Sequence, residues 1–202
     1  FIAMTRNDHN RETTTLALFR DSRSEWPQSK TFICLGTARG GTSMIAGAMH
    51  AAGVNMGDNL TDTHEDPAFA GRGVPAMVQE LERRNGLGLS HWGWKFPNAA
   101  NYLERLRPHL RNPHLVLVTR DPVATAKGHM RWHGREELQS ITDILVTTQR
   151  NFFLCLAWQV PALLVSYEKA LAYPKNFIRE FCAFADLNDP ANIDEIALVE
   201  GH

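Results

Sequence analysis

The sequence predicts an α/β domain in three layers, α/β/α, with a central parallel sheet. Three observations carry that expectation. Short, almost wholly apolar runs, such as Thr31-Phe32-Ile33-Cys34-Leu35, have the length and composition of strands buried on both faces. Stretches with helical periodicity stand between these runs. Glycine, proline and aspartate gather at the joins, most densely across residues 54–71. Strands alternating with helices through right-handed crossovers make a parallel sheet covered on both sides.

Taken in order, residues 1–30 are polar and weakly periodic and read as an arm or a peripheral helix, with the domain proper over 31–202. The first buried strand, Thr31 to Leu35, stops at Gly36. Met44 to Ala52, rich in Ala and Met and closed by Gly53, reads as a helix with its C-terminal glycine. The loop over 54–71 is long enough to suggest function. Val74 to Arg84 is amphipathic and closed by Gly86. A Trp-rich strand then leads into Lys95-Phe96-Pro97, and a helical stretch covers Ala99 to Leu106. Leu115 to Val118 is the second buried strand. Two helices, Val123 to Trp132 and Glu136 to Trp158, precede a third strand at Ala162 to Val165. One long helix from Tyr167 to Ala185 follows.

The totals narrow the class. A chain of 202 residues with 44% hydrophobic content suits one domain with a full core. Lys and Arg number 21 against 22 Asp and Glu, so no global basic field invites nucleic acid or an anionic membrane. A polyanion site must be local. Three cysteines cannot all pair and form no CxxC; they read as reduced core residues of a cytoplasmic protein. No run approaches the roughly 18 apolar residues of a membrane span, and residues 1–30 show no signal-peptide pattern. His129 and His133 have the i,i+4 spacing of a zinc clasp, but no third ligand is spaced to join them, and no metal is expected. His50 reads as a core residue, and Glu80, Glu82, Arg83 and Arg84 as an exposed face. Trp132 and Trp158 read as core or pocket lining.

The chemistry concentrates in Gly36-Thr37-Ala38-Arg39-Gly40-Gly41-Thr42-Ser43, between a strand and a helix. Its spacing is that of the P-loop, G-x-x-x-x-G-K-[ST], with Thr42 at the lysine position. Glycines let consecutive backbone N–H groups converge on an oxyanion, and the helix N-terminus adds partial positive charge. Thr42 and Ser43 add hydroxyls, and Arg39 supplies the missing cation. A Gly-rich turn alone would merely cap a helix; strand, spacing, cation and hydroxyl pair together point to an anion.

The stretch Gly36 to Gly57 resembles the phosphosulfate-binding loop and first helix of sulfotransferases that use 3′-phosphoadenosine 5′-phosphosulfate (PAPS). Further segments match in order. His64-Glu65-Asp66-Pro67 looks like the acidic loop of bacterial members, and Gly93-Trp94-Lys95-Phe96-Pro97 is similar to their Trp-Gly-Trp-Lys-Asp-Pro segment. Leu115 to Met130, with Arg120-Asp121-Pro122, resembles the 3′-phosphate strand and helix, and Val165-Ser166-Tyr167-Glu168 the third strand and its turn. The resemblance spans about residues 30–187 and implies a P-loop-type fold. It implies a nucleotide site of Thr37, Ala38, Arg39, Gly40, Gly41, Thr42, Ser43, Arg120 and Tyr167. Where members carry a serine for the 3′-phosphate this chain has Gly128, and Lys127 beside it is the expected replacement.

Sulfuryl transfer to a hydroxyl or amine needs a base for the acceptor proton and positioned donors for the developing charge. The resemblance implies Glu65 as the base and Arg39 and Lys95 on the transferred group, with PAPS as co-substrate and adenosine 3′,5′-bisphosphate (PAP) as product. A kinase-like phosphotransferase shares the strand–loop–helix; Thr42 in place of lysine and the lack of a clear metal carboxylate weigh against it. A non-catalytic binder of a phosphorylated or sulfated ligand is the other alternative. The short chain suggests an open site or a second subunit's contribution, as in a homodimer.

Overall fold

In the computed structural model, which describes residues 12–20, 25, 27–133, 136–194 and 196, five strands make one sheet. They are β1 (Thr15–Leu18), β2 (Lys30–Leu35), β3 (His91–Lys95), β4 (Pro113–Thr119) and β5 (Ala162–Ser166). The order across the sheet is β1-β5-β4-β2-β3. β3, β2, β4 and β5 run parallel, and β1 pairs antiparallel with β5.

The apolar runs form central strands because each face of the sheet has its own layer to bury. Phe32, Cys34, Val116, Val118, Leu163 and Val165 point to the layer of α1 (Thr42–Ala51) and α7 (Pro174–Ala185). Ile33, Leu35, Trp92, Trp94, Leu115 and Leu117 point the other way, onto α2 (Val74–Gly86), α3 (Leu103–Leu106) and α5 (Glu137–Trp158). Phe32 to Leu35 are fully buried, and each such side chain contributes roughly 1.5–3 kcal/mol. From β2 the chain passes to β3 on one side and then returns to β4 on the other. That reversal leaves a crevice beyond the carboxyl end of β2, where ligands of such sheets bind.

Five expectations are corrected. Thr15–Leu18 is an edge strand rather than arm or helix; its pairing with β5, some 150 residues away, leaves no local periodicity to read. The last helical stretch is two helices, α6 (Tyr167–Ala172) and α7, because Pro174 lacks an N–H and starts a new first turn. His50 is exposed at the end of α1, and Arg84 is buried. Ala99–Asn101 is a 3-10 turn ahead of α3. The remaining helix of the sheet's connections is α4 (Pro122–His133). The side chains of His129, Trp132 and His133 lie outside the described set. Trp158 is core. Among the described residues no helix is long and apolar enough to cross a membrane.

His114 carries a pH dependence into this core. It is buried on β4 between Phe32 and Phe184, with ring centroids 5.3 and 5.6 Å away, and its Nδ1 donates to Asn112 O at 2.9 Å. Burial pushes its pKa down to about 4. Unfolded, the ring takes a proton near 6.5. Between those values the unfolded chain binds the extra proton, so stability falls as pH drops from about 6.5 to about 4, by about 3 kcal/mol. Urea unfolding across that range should show the loss in wild type, and a clearly shallower one in His114→Phe.

Candidate functional site

The Gly36–Ser43 loop leaves β2 and turns into α1 with two left-handed residues, Arg39 at φ 59° and Gly41 at φ 86°. Gly40 N–H donates to Thr37 O at 3.0 Å, closing the turn. Gly41 is the N-cap of α1 and offers no side-chain cap, and no acidic residue stands in the first turn. The leading N–H groups and the dipole of α1 are therefore open to an anion. A Cβ on Gly41 would lie 2.0 Å from the Tyr167 ring, so only glycine lets that ring cover the loop.

Lys95 closes β3. Strand alternation sends Trp92 and Trp94 to the α2 side and Lys95 to the α1 side, opposite Cys34 in register. Its ammonium is buried and donates to Ser43 Oγ at 3.2 Å, Thr63 O at 3.0 Å and Glu65 Oε1 at 2.8 Å. All three protons are thus used, and Glu65, partly exposed, is brought to the mouth of the loop. His64 holds φ 57°, and burial first, then His50 and Lys95, lowers its pKa, keeping the ring neutral.

Arg120, just past β4, is held by neutral groups. Its Nη1 donates to Arg39 O at 2.9 Å, its guanidinium lies 4.6 Å from the Tyr167 ring centroid, and its buried Nε has no partner among the described residues. Its charge is uncompensated by any described carboxylate. Asp121 beside it caps α4, Oδ1 accepting from Ala124 N–H at 2.7 Å. Ala38, Arg39, Gly41, Thr42, Ser43, Glu65, Lys95, Arg120 and Tyr167 line one cavity of about 370 Å³, with Thr63, Met44 and Pro97.

No protein-family model matches the sequence, and no curated protein is detectably similar to it. Among solved structures, the sulfotransferase domain of the olefin synthase from Synechococcus PCC 7002 is similar over 85% of this chain and 78% of that one, at 15% identity and a TM-score of 0.58. The chain has a sulfotransferase-type fold. A sulfotransferase from Alicyclobacillus acidocaldarius is also similar, over 84% of this chain and 91% of that chain, at 14% identity and a TM-score of 0.45.

On this sulfotransferase-type fold most of the residues singled out in the sequence share one crevice; three do not line it directly. Thr37 and Gly40 are buried beneath the loop, which they shape. Lys127 is exposed on α4 and outside the lining. Gly128 lies under Arg39: a Cβ there would sit 3.3 Å from the arginine Cβ, so this glycine makes room for the Arg39 stem. Sequence reasoning missed two supports. Asn151, buried on α5, donates from Nδ2 to Gly36 O at 3.0 Å; an Asn on an otherwise apolar helix face was its only signal. Arg84 on α2 pairs with buried Asp66 and with Glu80 and lies over Phe69 and Trp92. Among the described residues no cluster of three His, Cys, Asp or Glu is placed to hold a metal.

The Arg84–Asp66 pair ties the loop carrying Thr63 and Glu65 to α2. Asp66 also accepts from Ala68 N–H at 2.8 Å and starts the turn that buries Phe69. Hydrogen bonds from Arg83 and then Arg84 hold the Glu80 carboxyl down at about 2. Removing one partner of a buried pair leaves the other charge unmatched, so Asp66→Ala should cost about 3–5 kcal/mol in urea unfolding, and Asp66→Leu with Arg84→Met should recover most of it. A single-variant loss below about 1 kcal/mol would reduce the pair to the worth of a surface bridge.

Proposed function

We propose that the chain is a sulfotransferase that moves a sulfuryl group from PAPS to a hydroxyl or amine acceptor. The observation that carries this reading is the meeting, in one crevice, of an open helix N-terminus, a buried lysine and an arginine with no carboxylate partner among the described residues. Three buried, unpaired cysteines agree with a reducing compartment such as the cytoplasm.

In this reading the loop from Thr37 to Ser43 takes the 5′-phosphosulfate and Arg120 the 3′-phosphate, with Lys127 reaching it from the solvent side and Tyr167 beside the adenosine. The acceptor oxygen attacks sulfur as its proton passes to Glu65, the sulfur–phosphate oxygen bond breaks, and PAP leaves. Charge grows on the departing phosphate oxygen, where Arg39, Lys95 and the N–H groups of α1 stabilise it. Lys95 has no spare proton. It meets the sulfonate only by giving up one acceptor, and release of Glu65 is the exchange that also frees the base. The kinase-like alternative is disfavoured by Thr42, which is buried and adds no charge at the lysine position.

Calorimetry tests the nucleotide. PAP should bind without magnesium and more tightly than ATP, and Arg39→Ala should weaken it by about 1.5–3 kcal/mol, the worth of a charge-assisted bond. Preference for Mg-ATP would overturn the donor assignment. Glu65→Gln, which leaves Lys95 without its carboxylate, should not weaken PAP binding, while turnover of an alcohol falls by roughly 10²-fold or more, the usual contribution of a positioned base. Full activity of that variant on every alcohol tried would remove Glu65 from the mechanism.

A further inference from the structure

The apolar side chains of α5 fall on two opposite faces. Ile144, Leu154, Cys155 and Trp158 point into the core. Leu138, Leu145, Val146, Phe152, Phe153 and Leu156 are exposed by 36% to 77%. At about 100° per residue those six occupy an arc of roughly 120° opposite Ser140, Asn151 and Trp158. A helix that is apolar on both sides is one buried on both sides. The strip runs from Leu138 to Leu156, roughly 27 Å at the helical rise. With two side chains abreast it covers several hundred Å², the extent that marks an interaction site. It continues onto the sheet edge, where Phe152 and exposed Leu16 of β1 line one shallow cavity.

The order of residues along the strip selects the occupant. It is palindromic about Gln149: Leu145 and Val146 stand four and three residues before it, Phe152 and Phe153 three and four after. A two-fold interface needs such self-complementarity, because each residue meets the copy of its mirror position. The arc holds only Thr142 and Gln149 besides the six apolar residues, and no charge. A charge near a two-fold axis would face itself; here none does.

We propose that two copies of this chain pair through α5, antiparallel about a two-fold axis beside Gln149. Leu145 then packs on Phe153 of the second copy and Val146 on its Phe152. The two Gln149 amides, each both donor and acceptor, satisfy one another. The strip with its polar rim is of the order of a standard interface, about 800 Å² per partner. The same helix holds Gly36 through Asn151 on its core face, opposite the pairing strip.

Sedimentation of the full chain across the micromolar range should give a dimer. Leu145→Glu and Phe153→Glu should each weaken association by about 100-fold or more while keeping the far-UV spectrum and PAP binding, since both side chains are exposed. Orientation is read by oxidation, the native cysteines all being buried. Leu145→Cys mixed with Phe153→Cys should cross-link between copies, and neither should cross-link alone. A monomer throughout, a dimer indifferent to both glutamates, or a Leu145→Cys chain that links to itself would each overturn the proposal.

Discussion

A buried ammonium has to find acceptors, and the site is arranged around that requirement. Lys95 sits at the end of a strand whose two tryptophans anchor it from the far face, so it cannot swing into water. Leaving such a charge unmatched would cost several kcal/mol. Its three acceptors come from separate pieces of chain: the first turn of α1, a backbone carbonyl of the 58–70 loop, and the carboxylate of Glu65. One cation thereby sets the distance between the Gly36–Ser43 loop and the loop that brings the acidic residue. Asp66 and Arg84 hold that loop from behind. Phe69, which stacks on Trp94 of β3 at 4.2 Å, adds a second anchor to the sheet beside the Lys95 contacts.

The central strands were legible because burial on both faces writes itself as an unbroken apolar run, as in Phe32 to Leu35. The edge was not. β1 is four residues long, and what makes it a strand is the β5 backbone together with Glu180 of α7, which accepts from Thr14 and Thr15. None of that is local. The reading of Tyr167 to Ala185 as one helix gave too little weight to Pro174, which costs about 3 kcal/mol inside a helix and nothing at its first turn.

Within the crevice, the lining residues legible by type and spacing were Arg39, Ser43, Glu65, Lys95 and Arg120. Those that act through burial were not. Arg84 follows Glu80, Glu82 and Arg83 in a run that looks like a solvated face, yet the helical turn carries it inward over Phe69 and Trp92. Asp66, seemingly one more acid in an exposed loop, is its partner. Gly128 looks like a lost serine in the sequence. Beneath the Arg39 stem it is the residue that lets the arginine approach α4.

The charge balance of the crevice separates its cations into two kinds. Lys95 is neutralised by Glu65, as Lys30 is by Asp186 and Arg84 by Asp66 and Glu80 elsewhere in the molecule. Arg120 is held in place by a carbonyl and an aromatic ring, which orient a guanidinium without cancelling it. A cation fixed by neutral groups, with a buried Nε that has no partner among the described residues, gains far more from an incoming anion than one already paired. Binding strength for an anion in this crevice should therefore rest on Arg120 and on the N–H groups of α1, both ready before a ligand arrives. Lys95 and Glu65 are matched to each other at rest. They become available only together: an anion that takes the carboxylate's place at the ammonium also releases Glu65.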